Sequence, residues 1–287
     1  MTNCPTRQNL TGRVAKQLFV HNIQVNSLKA AVYCYGPSAS RYLEYALALT
    51  FLSLRRGKLD RILEVGCGRS ILPMFWQRLN IETIVLDTNR DALKWQVRKS
   101  KRMSNTLTGA ILADMSCLPF KNESFFGVSC ISAIEHLPFD GDVKTACEIG
   151  RILKDSGVSV ISFPLSLQRR SHFKHHYAAE IPPVMQNLFG DCLPVILNKL
   201  QVDRTSSYFE RFFSLEDVGK RIIIPSGCME QNYCTLKSGC VTKLLHQRII
   251  PQGLFALLEY LIAKFLEVSK RTRNADAIVI KLKKSIP

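Results

Sequence analysis

The stretch Arg61-Ile62-Leu63-Glu64-Val65-Gly66-Cys67-Gly68-Arg69-Ser70 constrains the fold of this chain more than any other. Arg61 to Val65 is apolar and β-branched and reads as a buried strand. Gly66 and Gly68 permit a sharp turn, and Ile71 to Leu79 has the periodicity of a helix. A strand, a Gly-x-Gly turn and a helix in direct succession make a nucleotide-binding loop. The third glycine of a dinucleotide fingerprint is missing, and so is the Gly-Lys-Ser/Thr of a phosphate loop. In their place Glu64 stands two residues before the first glycine. An acid there suits a ligand whose near end is a cationic amine rather than a pyrophosphate.

Further strands and helices alternate after the loop. Ile81 to Asp87 reads as a second strand ending in an acid, about 20 residues past the glycines, where a carboxylate can accept from ribose hydroxyls. Asp91 to Arg102 follows as a basic helix, then Ala110 to Met115 as a third strand. Gly127 to Ile134 is a continuous apolar run, as expected at the centre of a parallel sheet, and leads into Glu135-His136-Leu137. Asp142 to Leu153 is helical, and Val158 to Phe163 is a fifth strand. This alternation predicts an α/β fold with a doubly wound, mostly parallel sheet. Ahead of it, Ser38 is a suitable N-cap for a helix through Arg41, Tyr42 and Leu52. Ser214 is placed to cap a helix over Leu215 to Val218. A sixth strand is expected near Cys228, and a seventh, antiparallel one over Ala275 to Leu282.

Several of these stretches together resemble the class I S-adenosylmethionine (SAM) methyltransferases, of the methyltransferase type 11 kind. Glu64-x-Gly66-x-Gly68 is similar to their first motif. Leu118-Pro119-Phe120 to Ser124-Phe125 resembles their Leu-Pro-Phe-x-x-x-Ser-Phe passage, and Arg151 to Gly157 their Arg-x-Leu-Lys-Pro-Gly-Gly turn. Phe126 stands where the family often has an acid, and Asp155-Ser156 replaces the usual residues of the turn. Pro225-Ser226-Gly227 matches a later family element. The resemblance is close over residues 38–163 and looser over 209–227 and 275–284. It implies a seven-stranded, Rossmann-like sheet and SAM as cofactor. Residues 1–57 would form an N-terminal helical cap, 58–164 the SAM-binding core, 165–208 a lid inserted after strand five, and 209–287 the rest of the sheet. By the same resemblance Gly66 and Gly68 approach the methionine part of SAM and Glu64 its ammonium. Asp87 holds ribose, and Asp114 with Met115 holds adenine. Cys67, Thr88 and Ser132 line the same site, and Arg41 or Tyr42 closes over it.

The methyl group of SAM is already activated, so catalysis requires alignment and exclusion of water rather than a metal. His136, at the carboxyl end of the fourth strand, is the expected general base. His172, His176 and Tyr177 are expected to meet the acceptor from the lid. Cys228, Cys234, Cys240 and His246 recur every six residues, which matches no familiar zinc arrangement, so no metal is expected.

Charge and hydropathy bear on the acceptor. The net charge is +16, and residues 61–160 hold 13 basic and 11 acidic residues, so +14 lies in the flanks. These flanks could meet an anionic substrate, RNA or a membrane surface. The Asn/Asp-Pro-Pro-Tyr/Phe motif of nucleic-acid amino methylation is absent at Ser132-Ala133-Ile134-Glu135, and no RNA-binding module flanks the core. The expected acceptor is therefore a small molecule such as a specialised metabolite, methylated on O, N or C. One rival is a peripheral membrane enzyme acting on a lipid, suggested by an amphipathic helix over Gly253 to Val268. Another is a SAM-binding module without turnover. The oligomeric state is not encoded in any motif. Met1 to Thr11 is polar, no run reaches membrane-spanning length, and the ten cysteines form no Cys-x-x-Cys pair. These features lead to the expectation of a cytoplasmic protein, with peripheral membrane contact as the variant.

Overall fold

A computed structural model describes residues 13–22, 39–53, 61–103, 107–166, 170–175, 207–237, 261, 267–269 and 275–285. The elements follow from the pattern of burial. Residues 13–22 form helix α1 and Ala39–Ser53 form α2. Strand β1 (Arg61–Val65) is buried from its second residue on, as its apolar composition requires. Helix α3 (Leu72–Arg78) opens with Pro73 in its first turn, where the missing N–H costs nothing. Strand β2 is Glu82–Asp87. Helix α4 (Arg90–Arg102) is capped by Asn89, whose side chain accepts from the amides of Asp91 and Ala92. Then come β3 (Gly109–Leu112), β4 (Phe125–Ile131), a single turn at Ile134–His136, α5 (Gly141–Ile152) and β5 (Leu153–Pro164).

The main sheet has β3, β2, β1, β4 and β5 side by side and parallel. β10 (Ala277–Lys284) is antiparallel to β5, and β8 (Cys228–Lys237) is antiparallel to β10. The doubly wound order and the antiparallel late strand are those expected from the sequence. Among the described residues the sheet has eight strands rather than seven. The extra one, β9 (Glu267–Ser269), pairs with Thr235–Lys237 of β8. This corrects the helix expected to run to Val268: that residue is buried in a strand. Of the rest of that expected helix only Leu261 lies among the described residues, and it is helical.

Two other expectations shift. β5 begins at Leu153, so residues expected in a turn belong to the strand, and Ser156 takes φ +60° within it. β6 (Arg170–His175), in the expected lid, and β7 (Ser207–Phe212), most of which lies past the lid's expected end at residue 208, pair as a separate antiparallel ribbon. His176 and Tyr177 fall outside the described residues, as do Ser38, Cys240 and His246.

Alternate residues of each strand serve opposite faces. Ile62, Val160 and Val279 meet α1, α2 and α3 through Leu18, Tyr42, Phe51, Leu72 and Trp76. Leu63, Val128, Ile161 and Ile280 meet α5 and the helical run over residues 215–226 through Ile149, Ile152, Val218 and Ile222. Each large side chain so buried contributes on the order of 1.5–3 kcal/mol. That helical run, α6, starts at Ser214, which forms the expected capping box with Asp217. It widens to a π turn over Val218–Ile223 and stops at Gly227, which is left-handed at φ +61°. α6 packs on α5 closely enough that a Cβ on Gly150 would stand 1.9 Å from the carbonyl oxygen of Ser226.

Candidate active site

The parallel strands β1 to β4 all end on one edge of the sheet, and that edge gathers the residues singled out in the sequence. Gly66 and Gly68 follow β1 with φ +65° and +48°, a region that L side chains avoid. A Cβ on Gly66 would stand 2.5 Å from that of Ala133 and 3.0 Å from Cε of Met115. Only glycine lets the loop pass between Ala133, just after β4, and Met115. A Cβ on Gly68 would meet nothing within 4 Å, so the loop opens onto space there. The amide of Gly68 donates to Oδ2 of Asp87 at 2.7 Å, and the amide of Asn89 to Oδ1 at 2.8 Å. Each carboxylate oxygen keeps lone-pair capacity for a ligand hydroxyl. Thr88 is exposed beside it. Asp114, also exposed, accepts the amide of Ser116 at 2.8 Å and retains capacity in the same way. Cys67 is buried among Val85 and Leu93, and burial pushes its thiol up, so it packs rather than reacts.

Behind the loop the structure places a polar cluster that sequence reasoning reached only in part. Glu64 is buried and accepts from the hydroxyl of Ser129 on β4. Burial pushes its carboxyl up to about 8, against the pull of Ser129 and Arg41. Arg41 of α2 donates to the carbonyl of Ile131 at 2.7 Å and lies 3.6 Å from Glu44. Burial opposes its charge, but Glu44, Tyr45, Glu135 and Glu64 outweigh it. Glu44 accepts from Ser132 at 2.6 Å and from Ser162 at 2.9 Å, which ties α2 to the ends of β4 and β5. Tyr45 faces the same group, its hydroxyl pushed up to about 12 by burial. Tyr42, by contrast, is fully buried among apolar neighbours, with Asn22 donating to its hydroxyl at 3.3 Å. It packs the core, and Arg41 alone of the expected pair reaches the site.

Glu135 and His136 form the turn after β4. Glu135 is 3% exposed, and burial pushes its carboxyl up to about 8. Its Oε2 has no hydrogen-bond partner among the described residues. Oε1 lies 3.9 Å from Nε2 of His136. The His136 ring is 42% exposed, and its Nδ1 is 3.0 Å from the carbonyl oxygen of Phe209 on β7. A carbonyl only accepts, so Nδ1 carries the proton, and in the neutral ring Nε2 is the basic nitrogen. His172 sits on β6 in register with Glu210 of β7.

Sequence reasoning missed Glu44, Ser162 and Gln96. Glu44 left a signal, as the one acid in an otherwise mostly apolar helix. Gln96, buried on α4, donates to the carbonyls of Gly68 and Ser70 and left none. Cys228 and Cys234 are both buried on β8, and no group of His, Cys, Asp or Glu among the described residues is arranged to hold a metal.

A strand-loop-helix with two left-handed glycines, acids at the ends of β2 and β3, and sheet order 3-2-1-4-5 continued by an antiparallel strand define a class I SAM methyltransferase fold. The family described as a methyltransferase domain matches residues 63–161, and SAM is the cofactor expected of such a domain. A SAM-dependent methyltransferase from Clostridium acetobutylicum is 12% identical, with TM-score 0.53, over 84% of this chain and 92% of that one. One from Methanosarcina mazei is 12% identical, with TM-score 0.50, over 82% and 97%. The cyclase SpnF is 14% identical, with TM-score 0.52, over 96% and 97%. At such identities the likeness is one of fold. No curated protein matches the chain.

The site fits that cofactor on its own chemistry. Three buried carboxyl groups, Glu44, Glu64 and Glu135, surround one guanidinium, that of Arg41; burial holds protons on Glu64 and Glu135, and a cationic sulfonium and ammonium would favour their ionised forms. The open side of Gly68 and the acids Asp87 and Asp114 suit a nucleoside.

Proposed function

We propose that the protein methylates O, N or C of a small molecule, with His136 taking the acceptor's proton. The observation that carries this reading is the Nδ1 contact of His136 with the Phe209 carbonyl. It leaves Nε2 as the basic nitrogen at the strand end where acceptors of such sheets bind. SAM, when bound, supplies a methyl group on a sulfonium that needs no further activation. The residues of the chain then have three tasks. Asp87, Asp114, Met115 and the glycine loop hold and orient the cofactor, with Cys67, Thr88 and Ser132 around it. Glu64 and Glu44 supply negative potential behind it. His136 receives a proton at Nε2 as the acceptor atom is methylated. His172, His176 and Tyr177 contact the acceptor from the lid.

The test is S-adenosylhomocysteine formation from SAM across a panel of phenols, amines and enolisable carbonyl compounds. Turnover with one of them is expected, and His136→Gln should lower kcat by about 10²–10⁴-fold with unchanged SAM affinity. A His136→Gln variant with full turnover would remove the base assignment.

A lipid acceptor at a membrane surface is the second reading. Phe139 (86% exposed) and Ile224 (73%) stand out from segments that Arg221 joins, and the basic flanks would meet anionic headgroups. No helix among the described residues is long and apolar enough to cross a membrane. Flotation with phosphatidylserine liposomes at low salt discriminates, since this reading requires protein in the floating fraction.

A further inference from the structure

His136 depends on β7 for its tautomer, and β7 is fastened to the same loop a second time. Arg211 lies two residues beyond Phe209 on that strand and is 2% exposed. Its Nη1 is 2.7 Å from Oδ2 of Asp142, which is fully buried at the start of α5. Its Nη2 donates to the carbonyl of Phe139 at 2.7 Å. The guanidinium carbon lies 5.1 Å from the centre of the Phe209 ring and 5.9 Å from that of Phe213, distances at which a cation is attracted to an aromatic face. The loop from His136 to Asp142 is thus held to β7 at both ends: His136 by the Phe209 carbonyl, Phe139 and Asp142 by the Arg211 side chain.

We propose that Arg211, by bridging Asp142 and the Phe139 carbonyl with its guanidinium fork, is a positioning residue that sets the tautomer of His136. The proposal rests on His136 as the base, but its physical content can be read without any acceptor. A guanidinium has a fixed planar fork. One that bridges Asp142 and the Phe139 carbonyl fixes where β7 runs relative to the loop. The Phe209 carbonyl two residues back is then delivered to Nδ1 rather than Nε2. Arg221 serves as the comparison. It reaches the same carboxylate at 2.7 Å and the same Phe139 carbonyl at 2.8 Å, but it comes from α6 and has no place on β7. Loss of either arginine leaves Asp142 with one cation, whereas only loss of Arg211 releases the strand.

The experiment is long-range ¹⁵N–¹H NMR of the histidine rings in full-length protein without ligand, above the His136 pKa. Wild type should show His136 as the Nδ1–H tautomer. Arg211→Lys and Arg211→Gln should shift it toward the Nε2–H form common in free imidazole, while Arg221→Gln should leave it in place. Amide spectra report whether each variant is folded, and Arg211→Lys, which keeps a buried cation beside Asp142, covers the case in which Arg211→Gln does not fold. An unchanged tautomer in a folded Arg211 variant overturns the proposal. An equal shift in Arg221→Gln also overturns it, because the cluster then acts only as general scaffolding. Failure to find an acceptor would bear on the proposed function and would leave the NMR result standing.

Discussion

Gln96 donates from one side-chain nitrogen to the carbonyl oxygen of Gly68 at 3.0 Å, and again to that of Ser70 at 2.9 Å. A residue one helix further along the chain therefore sets the shape of the loop from behind, while Asp87 holds the Gly68 amide from the front. Gln96→Leu leaves the buried Ser70 carbonyl and the half-buried Gly68 carbonyl without that donor. The expected cost is about 1–3 kcal/mol, measured by urea unfolding. SAM affinity by calorimetry should fall with it, because the loop loses preorganisation.

Gly150 is expected to tolerate no side chain. The atoms that a Cβ would meet are Ser226 backbone, at 1.9 Å for the oxygen and 2.7 Å for the carbon, and backbone cannot rotate away as a side chain can. Gly150→Ala should destabilise by about 3 kcal/mol, the upper end for overpacking, in chemical denaturation. Gly219→Ala is the control, since a Cβ there meets nothing within 4 Å.

Phe139 holds φ +53° with its ring 86% exposed, and both Arg211 and Arg221 donate to its carbonyl. Left-handed backbone costs a side-chain-bearing residue about 1–2 kcal/mol. Phe139→Gly should therefore unfold at higher denaturant than Phe139→Ala, by about 1 kcal/mol. At an ordinary position the order is the reverse, because glycine loses more entropy on folding.

The Glu135 carboxyl is pushed up to about 8 by burial, with Arg41 pulling it down and Glu44 and Glu210 pushing it up; His136 lies 3.9 Å away. The folded protein holds that proton over a range where the unfolded chain has released it. Above the ordinary carboxyl range, near 4.5, the folded state must therefore bind a proton or accept a buried charge, and stability falls as pH rises toward 8. Glu64 acts in the same direction. Glu135→Gln removes one such group, so the variant should gain on wild type between pH 5 and pH 8, in urea unfolding at several pH values. A constant difference across that range would contradict the assignment.

The parts of the site that were legible in the sequence are those made by local succession. A strand, two glycines and a helix announce themselves within about 20 residues, and Asp87 and Asp114 are found by counting from strand ends. The parts that were not legible are made by contacts between distant segments. The hydroxyls of Ser132 and Ser162 meet Glu44 across 88 and 118 residues, and nothing near any of them marks the meeting. β9 was missed because three residues are too few for a period. Val268 also continues an apolar pattern that suits a helix as well as a strand. Arg41 and Tyr42 are neighbours in sequence, but a helix points them about 100° apart, one to the site and one to the core. The Arg211–Asp142 pair was hidden for the same reason as the serines: a buried charge looks like a surface charge until its partner is known.

Strand β10, residues 277–284, lies between β5 and β8 and pairs with both. Among the described strands it is the last to leave the ribosome during synthesis. Until it does, β5 and β8 each present a row of unpaired amides and carbonyls, a template for wrong pairing between nascent chains. The sheet cannot close from its amino-terminal half alone: β5 and β8 are joined only once β10 has been made.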